Sequence, residues 1–433
     1  MERREDIPMN KYYEKMLFAL KEIPILDVHS HISADRPQAG DITDILFYHF
    51  LRRELYSAGL PDDNFLVSDA PLEDRISHFF QYVPYIEGTA SFWCLKKILE
   101  DIYEVPSGEI SLGNWRNIQS FIESKKNDDK WPLEVLKRAQ IKRTLICENH
   151  WNKENLNKYQ FLTPLYEDLQ YFNFDPSRKT SPLDLVKKDF SSLPESSSEF
   201  AEKIKAFFSN MKKDSIPYFA SFISPSFRNR KASDNEINHV YRKKISGEEL
   251  NPDEQNIFVT WLLYCYLDSL RELKSPAQFY LGAYWARPGM RYGESYVWTD
   301  HQYILDLVSV FKDFPEVKIN LMYASLSTSQ ELIIVSRMMP NISLLGFWWH
   351  TLFPNTIETI ISQRLEALPA NKWIAIATDA YSVEWAYGKV NLVLHSLAKV
   401  LSQKIGDGYL SEKKALWIAQ RVLYDNPKEI YNL

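Results

Sequence analysis

The chain has 433 residues, 45% hydrophobic and 25% charged, a globular balance that can build a large core and excludes a mostly disordered protein. Its 51 Lys and Arg against 57 Asp and Glu leave a net charge of −6, without the basic footprint of a general nucleic-acid binder. No apolar run approaches the ~18 residues that a membrane span needs, and the stretch 1–6 is charged at residues 2–6, with no apolar signal region expected. A cytoplasmic protein with neither nucleic-acid nor membrane partners is expected. Cys94, Cys147 and Cys265 are too few and too scattered for a disulfide framework or a thiolate zinc site. The 13 glycines, about 3% against a usual ~7%, include no phosphate-cradling loop motif.

Short segments rich in β-branched or aromatic residues alternate with amphipathic stretches, the pattern of repeated βα units. The first predicted strand, 23–28, runs directly into His29-Ser30-His31. Residues two apart on a strand face the same side, so both imidazoles can point into a barrel mouth, where barrel enzymes build their sites. Imidazole suits zinc, iron, nickel or copper. The next stretch offers helices at 45–57, 72–80, 92–103 and 115–124 and no convincing strand. Residues 41–135 are therefore expected to form a helical subdomain inserted into a barrel made of 1–40 and 136–433. Further strands are predicted at 142–147, 169–172, 216–222, 277–284, 317–322, 342–346 and 373–378. Eight strands separated mostly by helices fit an α/β fold of the (β/α)8 TIM-barrel type.

The last strand ends in Thr378-Asp379. If the barrel closes, strand eight pairs with strand one and Asp379 arrives beside His29 and His31. Two histidines and a carboxylate with open positions make a catalytic rather than a structural metal set. Taken alone, Asp379 equally suits a helix N-cap.

These strand-end residues resemble the amidohydrolase superfamily, and within it the chain is similar to the uronate (glucuronate) isomerase family over most of its length. Residues 41–53, with Tyr48-His49-Phe50, are similar to the family's segment after strand one. Ile245-Ser246-Gly247-Glu248-Glu249-Leu250 and the helix at 258–273 resemble its approach to strand five. Gly346-Phe347-Trp348-Trp349 matches its G-x-W-W on strand seven, Thr378-Asp379 its T-D-S-R on strand eight, and residues 425–431 the start of its C-terminal helix. The resemblance implies aldose–ketose isomerisation of a small sugar acid, such as glucuronate to fructuronate. It also implies a divalent metal, zinc first with iron, manganese or nickel as alternatives, and it is compatible with a homo-oligomer.

The departures are concentrated in the substrate shell. The family's His-Tyr pair is His49-Phe50 here, and Tyr381 stands where the family carries an arginine that grips a carboxylate. The strand-five histidine falls near Tyr280, and the Asp-His after strand four falls in 221–224. A neutral phenol cannot replace a bidentate guanidinium–carboxylate pair, so a shifted substrate is expected. Hydrolysis of a lactone, ester or amide, and carbohydrate binding without catalysis, stay open as alternatives.

His49 and Asp379 are the acid/base candidates; an ordinary imidazole pKa near ~6.5 suits proton transfer at neutrality. Trp348 and Trp349 offer one core residue and one stacking wall, and Tyr381, Arg287 and His301 are the remaining candidates for holding substrate. His150, with Glu148, and His350 are further candidates for the barrel mouth. His78, His239 and His395 lie in helical surroundings and are read as structural.

Overall fold

The computed structural model describes residues 9–147, 153–162, 192–212, 216–285, 295–297 and 300–433. The chain forms two compact units, Met1–Phe161 with Leu352–Glu358 and Ile376–Tyr424, and Leu162–Thr351 with Thr359–Ala375 and Asp425–Leu433. Among the described residues no helix is long and apolar enough to cross a membrane.

In the first unit, β1 (Ile25–Ser30) is buried along its whole length and pairs in parallel with β2 (Ile141–Ile146). Burial on both faces is what a parallel strand covered by helices requires; here it also takes Asp27 and His29 out of water. Between β1 and β2 lie helices and 3₁₀ turns, the helices being Ile42–Leu46, His49–Ser57, Leu72–Ile86, Ala90–Asp101, Trp115–Lys125 and Trp131–Arg138. The Thr89 hydroxyl caps helix 90–101 by accepting from Phe92 N and donates to Glu54, which also accepts from Ser91. That carboxylate ties helix 49–57 to the start of helix 90–101.

The longest helix among the described residues, Val383–Gly406, is capped by Ser382 and buried over most of its length. A Cβ at Gly388 would lie 3.1 Å from Cys94 O and 3.0 Å from Ile98 Cδ1, so glycine lets helix 90–101 approach closely.

His395, on the same helix, sits with its Nδ1 2.6 Å from the Tyr13 hydroxyl and its ring edge against Trp93. Burial, and then the charges of Lys21 and Lys97, push the His395 imidazole down to about 4. The unfolded chain binds this proton near pH 6.5 and the folded chain only near pH 4. Stability is therefore expected to fall as pH drops through that window. After discounting for partial exposure, the loss is about 1–2 kcal/mol. Melting curves across the window should show a smaller fall for His395→Gln than for the native protein. Equal falls would contradict the assignment.

In the second unit, β4 (Phe219–Ile223), β5 (Ala277–Leu281), β8 (Ile319–Tyr323), β9 (Ile342–Leu345) and β10 (Trp373–Ile374) form a parallel sheet in the order β10-β9-β8-β5-β4. The register runs Phe219–Ala277–Ile319–Ile342. The short strands β6 (Ala283–Trp285) and β7 (Ser295–Val297) pair antiparallel, and β3 is the two-residue strand Phe161–Leu162. Helix Pro252–Leu273 starts with a capping box between Asn251 and Glu254.

The α/β class is as predicted, with three differences in detail. The expected strand 277–284 is broken at Gly282, whose φ of 81° is a turn conformation that ends β5 and restarts the chain as β6. The expected strand 373–378 joins the parallel ladder only over Trp373–Ile374. The expected strand 169–172 lies outside the described residues. Among the described residues the parallel ladders therefore do not run continuously through eight strands.

Candidate metal centre

The site is assembled on β1. His29 is 2% exposed, and His31 follows one residue past the strand. The segment after Ile376 lies alongside: Val28 N donates to Ile376 O at 3.4 Å, Asp379 N to His29 O at 2.9 Å and His31 N to Ala380 O at 2.7 Å. This main-chain lacing brings Asp379, 350 residues later in the chain than His29, against both imidazoles. Asp27 extends the lacing through its side chain. Its carboxylate accepts from Thr378 N at 2.9 Å, Thr378 Oγ1 at 2.6 Å and His29 N at 3.4 Å. Burial pushes the Asp27 carboxyl up to about 7, against those hydrogen bonds, which favour the ionised form.

Asp27→Ala would leave the Thr378 donors without an acceptor in a dry interior. We expect a loss of about 2–4 kcal/mol, read by urea unfolding, with Asp27→Asn costing less because it keeps the shape and one acceptor oxygen. An Ala variant as stable as the native protein would contradict this role.

His29 Nε2 and His31 Nε2 each lie 3.2 Å from the same atom, Asp379 Oδ1. One ligand atom from each of the three residues lies within 4.8 Å of the others. Donors about 2.1 Å from a shared ion are separated by about 3.0 Å at a right angle and about 3.4 Å at the tetrahedral angle. The observed 3.2 Å spacings fit that range, and two imidazole nitrogens with one carboxylate oxygen suit a borderline divalent cation. Among the described residues this is the one cluster of three or more such donors.

Protonation favours the same reading. Burial would raise the Asp379 carboxyl, but hydrogen bonds with His29 and His31 and the Lys389 charge hold it well below the usual carboxylate range. Burial pushes the His29 imidazole down, partly offset by Asp379. An ionised carboxylate beside a neutral imidazole is the state a metal requires. The Cys147 sulfur lies 3.3 Å from His29 Nδ1, so the other ring nitrogen is the one that faces Asp379.

An aromatic shell surrounds the three donors. Tyr381 stacks on His31 with centroids 5.1 Å apart, and His49 meets Tyr381 edge-on at 5.1 Å. Tyr48 stacks on Trp385 at 3.9 Å. Burial first, then the charges of Lys389 and Arg53, pushes the His49 imidazole well below its ordinary value; it stands as a neutral ring at pH 7.

His29, His31, His49, Asp379 and Tyr381 are thus brought together in the first unit. Trp348, Trp349 and His301 belong to the second. Trp348 is buried against Phe222 and Tyr280, its core role, and Trp349 adjoins it with a left-handed φ of 48°. Tyr280 is buried and donates to Gln278. His301 begins helix His301–Phe311 with a side chain 91% exposed, 3.8 Å from Glu331. His350 is exposed. Arg287, His150 and Glu148 lie outside the described residues.

Sequence reasoning missed Asp27, Tyr48, Cys147 and Lys389. Only Lys389 carried a plain signal, as a lysine within the apolar run of helix 383–406.

The fold defined by these elements is that of the uronate isomerases. A uronate isomerase from Thermotoga maritima superposes with a TM-score of 0.83 at 14% identity, covering 100% of both chains. A glucuronate isomerase from Caulobacter crescentus gives 0.83 at 15%, over 99% of this chain and 95% of that one. A uronate isomerase from Bacillus halodurans C-125 gives 0.75 at 16%, over 99% and 98%. No family model and no curated protein sequence matches the chain. At these identities the likeness establishes the fold, and the chemistry has to be argued from the side chains.

Proposed function

We propose that the protein is a metal-dependent enzyme of sugar-acid chemistry, catalysing an aldose–ketose isomerisation on a substrate shifted from simple uronates. The observation that carries this reading is the convergence of His29 Nε2 and His31 Nε2 on Asp379 Oδ1, at 3.2 Å each. The uronate isomerase neighbours support it at the level of fold. A divalent ion held by these three residues would supply Lewis-acid polarisation of the substrate's carbonyl and adjacent hydroxyl; zinc is the first choice for the donor set, with iron, manganese or nickel as alternatives.

The chain's own groups do the rest. In an isomerisation a proton leaves C2 and is returned to C1 while a hydroxyl proton passes between the two oxygens, so no oxidant and no water is consumed. The proton carriers in this reading are Asp379 and His49. Asp379 meets both imidazoles through Oδ1, and among the described residues nothing hydrogen-bonds Oδ2, which leaves that oxygen for a proton. Tyr381 presents a half-exposed neutral ring stacked on His31. It favours a sugar face or a hydroxyl over a carboxylate in the position of the family's arginine.

Proton NMR in D₂O tests the reaction. Metal-loaded protein should give ketose signals and deuterium at C2 of the recovered aldose with at least one of D-glucuronate, D-galacturonate and the corresponding neutral aldoses, the neutral aldoses first, and both signals should be lost in Asp379→Asn. Metal-loaded protein that exchanges no C2 proton on any of them would contradict isomerisation. The neutral ring of Tyr381 also favours a second reading, hydrolysis of a lactone or ester, which turnover of such substrates without C2 exchange would distinguish.

A further inference from the structure

Asp379 is held by its own main chain as much as by its carboxylate. Its φ of 51° lies in the left-handed region, which aspartate adopts more readily than most non-glycine residues and keeps where its surroundings hold it there. The groups that hold it are visible. The Asp379 carbonyl oxygen accepts from Lys389 Nζ at 2.9 Å and from the Tyr48 hydroxyl at 3.1 Å. Lys389 is 3% exposed and Tyr48 5%. The Lys389 ammonium lies 5.2 Å from the Tyr48 ring centroid and 5.0 Å from that of Phe50. Tyr48 is in turn fixed by its stack on Trp385.

This arrangement is a costly way to fill a core position. Among the described residues no carboxylate forms a direct ion pair with the Lys389 ammonium, and the Asp379 and Asp27 charges act on it only through space; burying an ammonium on those terms is unfavourable where Met or Leu would pack. The return on that cost is directional. Two donors converging on one carbonyl fix the orientation of the peptide group that follows Asp379, and with it the conformation from which the side chain projects.

We propose that Lys389 and Tyr48 are positioning residues that clamp the Asp379 carbonyl, holding its carboxylate where Oδ1 meets both imidazoles. Both hydrogen bonds reach the main chain of Asp379, and neither side chain is among the three metal-donor candidates. The inference rests on the metal reading of His29, His31 and Asp379, and it adds a preorganising layer, drawn from helices 383–406 and 49–57 and the residue before the latter, to a site read from two strand ends.

The test uses the full chain as native protein, Lys389→Met and Tyr48→Phe, each prepared metal-free. Co²⁺ is titrated with its visible absorption recorded, Zn²⁺ affinity is measured by competition with a chelator, and each metal-free protein is melted. Lys389→Met is expected to lower affinity about 10–100-fold and to change the Co²⁺ spectrum. Its metal-free melting temperature should stay equal or rise, because a buried charge has been removed. Tyr48→Phe, losing one donor of two, should show a loss of about 10-fold and the same direction of spectral change. A merely structural role would lower the melting temperature and leave the affinity and spectrum of the folded protein alone. If Lys389→Met does not fold, Tyr48→Phe carries the test. Native affinity and spectrum in the folded variants would overturn the clamp while leaving the metal site standing. Native protein that takes up neither ion would overturn the metal reading, and the clamp with it.

Discussion

Asp379→Asn is expected to bind Zn²⁺ or Co²⁺ at least about 100-fold more weakly than the native protein. Its C2-proton exchange should be slower by about 10³. The substitution separates charge from conformation. Asn tolerates the left-handed region at least as well as Asp, so the φ of 51° and the two hydrogen bonds to the carbonyl from Lys389 and Tyr48 are kept. What is lost is the negative charge that meets both imidazoles and an oxygen able to take a proton. Asp379→Ala would confuse the two effects by adding backbone strain. Isothermal titration of the metal-free proteins, with melting curves to show that the variant is folded, checks the first number, and the D₂O exchange assay checks the second. A variant that binds metal and turns over like the native protein would remove Asp379 from both roles.

Removing the metal from the native protein should abolish exchange and lower thermal stability together. An ion that binds only the folded chain stabilises it by about 4 kcal/mol when present at 1,000 times its Kd. With an unfolding entropy of about 2.1 cal/mol/K per residue, that corresponds to a shift of about 4–5 °C in melting temperature for this chain. Chelation followed by desalting should therefore lower the melting point and silence the protein, and adding back one equivalent of Zn²⁺ or Co²⁺ should restore both. The same treatment applied to Asp379→Asn should change little, because the site is already disabled. A native protein whose activity and melting point ignore the chelator would contradict the account.

The core of the site was legible because it depends on rules that need no structure. A strand's two-residue period put His29 and His31 on one side, and an apolar segment ending in an acid far along the chain supplied Asp379. What could not be read is the material that acts through the backbone. Lys389 and Tyr48 bind a carbonyl that every residue possesses, so no pairing of side-chain types betrays them. Cys147 closes a predicted strand, but only the pairing of that strand with β1, where Cys147 N donates to Ser30 O at 2.7 Å, sets its sulfur 3.3 Å from His29 Nδ1. Gly282 breaks an otherwise continuous β pattern through one positive φ. The substrate shell was the least legible part. Trp348 is committed to packing on Phe222 and Tyr280, and of the described candidates for holding substrate only Tyr381 lies with the three metal-ligand candidates in the first unit.

The most direct test of the account is anomalous diffraction from crystals of the full chain grown with Zn²⁺ or Co²⁺, recorded on either side of the metal's absorption edge. A peak is expected about 2.0–2.2 Å from each of His29 Nε2, His31 Nε2 and Asp379 Oδ1, and it should disappear in crystals of Asp379→Asn. Crystals that show no peak at these three atoms, from protein that still exchanges the C2 proton, would contradict the account.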